Sequence, residues 1–170
     1  MDGQEKERAL RLLSYHAWAN AQVVAALGSC TADALDAPTH EGFGSLRVVL
    51  THIAAVDELW LSRLTGHSPA AMPQLGGNGL EDLKRCLTES AAGLRAAVTR
   101  APEVVSYATL NGAPQEAPAL DIVTHVVNHG TYHRGQIAAL LRQSGLTPLP
   151  TDFIVWQRMQ PAGQDVDHLA

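Results

Sequence analysis

The stretch from His125 to Gln136, HVVNHGTYHRGQ, places His125, His129 and His133 four residues apart. Positions i and i+4 of a helix lie one above the other on the same face, so imidazoles at this spacing project toward a common point. Neutral imidazole ligates divalent transition metals, whereas three protonated rings on one stripe would repel one another. A run of three therefore favours metal ligation over the plainer role of a satisfied polar histidine. With His125 at zero and roughly 100° per residue, His129 falls at about 40° and His133 at about 80°. The apolar residues Ile122, Val123, Val126, Ile137, Leu140 and Leu141 occupy about 60° to 160° of the same wheel. His133 thus lies inside the core-facing arc, His129 at its edge and His125 furthest out. Gln136, at about 20°, leans to the same side and is a candidate hydrogen-bond partner for a ligand. Tyr132, at about 340°, flanks the stripe, with its hydroxyl in reach of the site or of solvent. Arg134 points about 180° from His125 and is expected at a salt bridge or subunit contact.

A helical HxxxH pair supplies two ligands, and zinc or a similar ion needs at least one more. His52 lies mid-helix in VVLTHIAAVDELWLSRL, at the edge of an apolar arc formed by Leu46, Val49, Ile53, Val56, Trp60 and Leu64. That placement resembles that of His129, so the two could meet in the bundle interior. His16, in SYHAWAN, is the rival. Asp57 is a weaker carboxylate candidate whose plainer role is a buried or half-buried hydrogen-bonding residue. His40 and His67 fall in expected loops and His168 near a frayed terminus. Trp18 and Trp60 recur at core spacing, and Trp60, two turns from His52, also fits a pocket wall. Cys30 and Cys86 form no CxxC or CxxH pattern and read as small hydrophobes.

Helical periodicity marks the elements that must position these residues. One helix is expected from about Gln4 to Leu27 with Gly28 as its stop, and a second from the N-cap Ser45 to just before Gly66. A third runs from about Leu80 to before Pro102, and a fourth from around Pro118 to Gly145. EVVSYATLNGAPQEAP contains β-branched residues and an Asn-Gly pair, which suits a short hairpin. The segment LTPLPTDFIVWQRM is broken by prolines, yet its Phe153, Ile154, Val155 and Trp156 should pack back on the body. These elements predict an all-α four-helix bundle, a single domain over residues 1–160 followed by a flexible tail, 161–170.

Composition narrows the function. The chain has 170 residues, 46% hydrophobic and 17% charged, as a globular domain requires. A net charge of −5 offers no electrostatic footprint for nucleic acid, and no Lys/Arg cluster suggests a membrane surface. The charged N-terminus lacks an apolar signal region and no apolar run is long enough to span a bilayer, so a cytoplasmic protein is expected.

YHAWAN in the first helix, THIAAVDELWLSRLTG in the second, HVVNHGTYHRGQI in the fourth and TDFIVW in the tail resemble the DinB family, within the DinB/YfiT-like superfamily. The resemblance covers nearly the whole chain in order, and the HRGQ ending is its most specific part. It implies a four-helix bundle with a divalent metal, zinc foremost and nickel or iron also compatible, on His52, His129 and His133. His125 then becomes a pocket or outer-layer residue, with Gln136, Tyr132, Trp60 and His16 as further candidates around the site. The family usually has Asn where this chain has His16. Related members are thiol transferases, so the resemblance implies a low-molecular-weight thiol such as bacillithiol, mycothiol or glutathione, an electrophilic co-substrate, and a homodimer. Two other classes remain open: a metal-dependent hydrolase, which would need a general base that HExxH-type motifs do not supply here, and a non-catalytic metal or small-ligand binding protein. No residue is singled out as catalytic.

Overall fold

The computed structural model describes residues 1–38, 44–77 and 79–160. The expectations for His40, His168 and the tail 161–170 lie outside these residues. Four long helices dominate: α1 (Gly3–Leu27), α3 (Leu46–Leu64), α4 (Leu80–Arg100) and α5 (Ala119–Gln143). Each repeats its buried residues every three or four positions; on α4 these are Leu83, Leu87, Ser90, Ala91, Leu94, Ala97 and Val98. The α1 start is closed by a capping box, with Glu5 N–H donating to Asp2 Oδ1 and Asp2 N–H donating to Glu5 Oε2. Ser45 caps α3 by accepting from Val48 N–H.

The ends show where local pattern falls short. Gly66 and Gly145 follow α3 and α5 at φ +86° and +75°, the left-handed conformation that glycine adopts without a Cβ clash. Gly28, expected to stop α1 in that way, stays right-handed at φ −62°. Its N–H still donates to Val24 O at 3.0 Å, so the helical turn runs on toward α2 (Ala32–Asp36). α2 and α6 (Phe153–Met159) have no counterpart in the periodicity, because so few residues complete barely one or two turns.

The expected hairpin forms. β1 (Val104–Ala108) and β2 (Pro114–Pro118) pair antiparallel, from Val104 opposite Pro118 to Ala108 opposite Pro114. Asn111-Gly112 sits inside a longer loop, in which Thr109 N–H donates to Ala113 O and Gly112 takes φ +84°.

α1 packs on α4 and α5, and α3 packs on the same two, so α1 and α3 face each other across the diagonal of the bundle. The core divides into two apolar clusters. One gathers Leu13, Trp60, Leu94, Ile122 and Val126 with Trp156 of α6; the other gathers Val23, Leu27, Leu50, Ile53, Leu83, Ile137 and Leu141. The tail does pack back: Tyr15 meets Phe153 and Trp156 edge-on, at 5.0 and 5.9 Å between ring centroids, and its hydroxyl donates to Thr151 O at 2.8 Å.

Trp156, only 4% exposed, should anchor this segment. Trp156→Ala is expected to lower the urea-denaturation free energy by about 3 kcal/mol through loss of packed aromatic volume. Val48→Ala, at a position 54% exposed, should change it by less than about 0.5 kcal/mol.

Candidate metal centre

α3 contributes His52, and α5 contributes His129 and His133 one turn apart. One ligand atom from each lies within 4.8 Å of the others, and His129 Nε2 is 3.1 Å from His52 Nε2. Two imidazole nitrogens on one tetrahedral ion, each about 2.0–2.1 Å from it, would stand about 3.3 Å apart. The rings are already disposed for a shared ion. The donor set is three imidazoles with no carboxylate or thiolate, which suits zinc, nickel and iron alike.

His52 and His129, expected from their edge-of-core positions to meet in the bundle interior, meet instead at its surface, with His133 beside them. His52 is exposed and His129 and His133 are half-buried, so the cluster opens to solvent along the α3–α5 seam. An ion placed there remains accessible to a further ligand. Gln136 is where the wheel put it: its Oε1 lies 2.7 Å from His133 Nδ1. The amide oxygen can only accept, so Nδ1 carries the proton and Nε2 is left free to ligate. His129 Nδ1 is buried with no hydrogen-bond partner among the described residues.

His125 stands apart from the ligand group. Its ring centroid is 6.0 Å from that of His129 and packs edge-on to Trp60 at 5.1 Å. Trp60 in turn meets Tyr107 at 5.2 Å, and the Arg63 guanidinium lies 4.5 Å from the Trp60 ring and 4.9 Å from Tyr107. Arg63 is held there by donating to Ala108 O. The hairpin thus completes an aromatic wall beside the histidines. Sequence reasoning found Trp60 but missed Arg63 and Tyr107. Arg63 could have been found as the i+3 neighbour of Trp60; Tyr107 depends on where β1 docks. Tyr132 is 64% exposed, its ring edge-on to His133 at 5.0 Å.

Behind the histidines lies a buried polar layer. His16 and Asp57 are each 1% exposed, Arg134 2% and Asn20 3%. His16 Nε2 is 3.0 Å from Asp57 Oδ2, and Arg134 Nη1 is 3.2 Å from His16 Nδ1 and 2.8 Å from Asn20 Oδ1. Arg134 Nη2 donates to Thr131 Oγ1. His16 is thus engaged away from the ligand group, and Asp57 is the buried hydrogen-bonding residue expected of it. Arg134 corrects the reading of the wheel. It is buried within the chain and meets no carboxylate directly among the described residues, because the buried arc of α5 extends past it to Val127 and α1 covers that side.

Gly130 belongs to this layer. Glycine inside a helix is about 1 kcal/mol less favourable than alanine. A Cβ here would clash with His16 Cε1 and fall 2.7 Å from Arg134 Nη1. The ring it would strike is hydrogen-bonded on both sides and cannot easily yield.

Burial disfavours the charged form of His129, His52 and His125. Desolvation, followed by the neighbouring charges of His133 and His52, pushes the pKa of His129 down to about 3. Desolvation and then His133 lower His52, and desolvation and then Arg63 lower His125.

A family model described as DinB family matches residues 4–166. Protein DinB of Bacillus subtilis (strain 168) is 27% identical over 156 residues, spanning 85% of this chain and 91% of that relative.

In the metal-free chain, His129 binds its proton only near pH 3, whereas an unfolded histidine binds it at about 6.5. Between those values the unfolded state takes up more protons. Stability is therefore full above about pH 6.5 and lost as pH falls toward 3. Chelator-treated protein should show this loss in denaturant melts across that window, and His129→Leu should flatten it. An unchanged slope in the variant would show that His129 is not its source.

Proposed function

The chain belongs to the DinB family, and on that premise we propose that it binds a divalent metal through His52, His129 and His133 and uses it as a thiol S-transferase. The observation that carries the reading is the meeting of three imidazole nitrogens, from two helices, within 4.8 Å of one another. Three neutral ligands leave a position for an exogenous group, which is the arrangement of catalytic rather than structural metal sites. When bound, a divalent ion supplies Lewis acidity that lowers the pKa of a thiol toward neutrality. The protein's own share is positioning. Gln136 holds His133 in the ligating tautomer, and Trp60, Tyr107 and His125 offer an apolar wall against which an electrophile can orient.

Low-molecular-weight thiols such as bacillithiol, mycothiol or glutathione are the proposed partners, with an electrophilic carbon compound as acceptor, in a cytoplasmic homodimer that binds no nucleic acid. Among the described residues no helix is long and apolar enough to cross a membrane. The hydrolase alternative receives no support from the geometry. Asp57 is buried against His16, and Glu58 accepts from Ser90, so neither is a free general base beside the histidines.

Elemental analysis of protein purified without a metal-affinity column tests the first part, and a thiol panel with a generic electrophile tests the second. Turnover should require thiol, vanish with chelator and return with metal. Stoichiometric metal without turnover on any thiol would leave a metal-binding protein that is not a transferase.

Alanine at His52, His129 or His133 should abolish tight zinc binding, because two imidazoles remain. Alanine at His125 should weaken it by at most about 10- to 100-fold. Equal loss at His125 and His129 would overturn the ligand assignment. Zinc at about 1,000 times Kd should stabilise the wild type by about 4 kcal/mol at neutral pH. That gain should fade in acid as protons compete for the ligand nitrogens. A shift equally large in acid would remove the histidines from the site.

A further inference from the structure

The buried layer behind the histidines joins three helices in one directional chain. Arginine has donors only, so His16 Nδ1, 3.2 Å from Arg134 Nη1, must be the acceptor. The ring proton then sits on Nε2, aimed at Asp57 Oδ2 and Oδ1 at 3.0 and 3.2 Å. The second N–H of the same Arg134 nitrogen goes to Asn20 Oδ1, which sets the Asn20 amide nitrogen 3.1 Å from His16 Nε2 and 3.5 Å from Asp57 Oδ2, so that the N–H groups of both residues point to the same carboxylate. A cation on α5 and an anion on α3 are thus connected through one imidazole on α1, in one tautomer. The other tautomer, with its proton on Nδ1, would leave Arg134 facing another donor.

Its attachment points are the ligand-bearing turns. Arg134 follows His133, Gly130 follows His129, and Asp57 stands five residues after His52 on α3. The layer also lies where the two apolar clusters of the core separate. Apolar faces rich in Val and Ala tolerate repacking with small shifts, whereas hydrogen bonds constrain both distance and angle. A metal site needs its ligands held to within about 0.5 Å.

We propose that His16, Asp57 and Arg134 are positioning residues for the metal centre: the His16 bridge sets the separation and register of α3 and α5, and so the gap that His52, His129 and His133 close. Gly130 is part of the device, since only the lack of a Cβ lets the His16 ring lie against α5. The inference rests on the three-histidine reading above.

The test uses the full chain, stripped with chelator and titrated with Zn²⁺ against a chromophoric competitor, well below each variant's melting temperature. Co²⁺ absorption spectra report ligand geometry. His16→Phe keeps an aromatic ring but cannot bridge. It should weaken zinc binding about 10-fold or more and shift the cobalt bands, with a stoichiometry of one retained. His16→Gln, whose amide can accept from Arg134 and donate to Asp57 together, should restore most of the affinity. Gly130→Ala displaces the ring while favouring helix, so it carries the test if His16→Phe fails to fold, and the same weakening is expected. Variants that melt lower yet bind zinc with the wild-type constant and give wild-type cobalt bands would overturn the proposal, as would failure of His16→Gln to recover affinity. A wild type that binds zinc no better than His129→Ala would overturn the three-histidine reading itself, and with it this proposal.

Discussion

Arg134 carries a charge that it cannot lose at ordinary pH, and it sits with 2% of its surface exposed. Burial lowers its pKa, and a buried charge is costly unless the surrounding helices supply acceptors. His16, Asn20 and Thr131 supply them, and Asp57 balances the charge from the far side of the His16 ring. Removing one member would strand the others in a medium of low polarity. Apart from Arg134 Nε, which has no hydrogen-bond partner among the described residues, the groups of the layer satisfy one another, and together they restrict the register of α1, α3 and α5. Apolar clusters on either side contribute the bulk of the burial, but leucine and valine faces do not distinguish neighbouring registers so sharply.

From that register follows the arrangement of the histidines. His52 and His129 come within 3.1 Å, nitrogen to nitrogen, close to the spacing that a shared ion imposes. Desolvation first, and then the neighbouring charges of His133 and His52, drive His129 down to about 3. At His129, neutral imidazole, the form a metal requires, is thereby the resting form at neutral pH. The solvent-facing side of the seam keeps the site open, while the hairpin lays Tyr107 against Trp60 and Arg63 to wall it on one side. Access to the site is served by this edge placement, which a fully buried triad would not allow.

Much of this was legible in the sequence, for a local reason. Side-chain direction along a helix is set by backbone geometry, so HVVNHGTYHRGQ by itself determined that His129 and His133 share a face, that Gln136 leans toward them and that His125 lies outermost. The same periodicity located four helices, residue type the Ser45 cap, and β-branched residues with an Asn-Gly pair the hairpin. Short α2 and α6 escaped it because they complete too few turns to show a period, and Gly28 misled because a glycine permits a left-handed stop without requiring one. What only the tertiary structure decided was which faces meet. A wheel reports that Arg134 points away from the histidines; it cannot report that α1 covers that side and buries it against His16. Tyr107 reaches Trp60, and His16 reaches Asp57 across the diagonal, through contacts far apart in the chain. Such contacts are fixed by the joint packing of several helices, and no one helix's pattern contains that information.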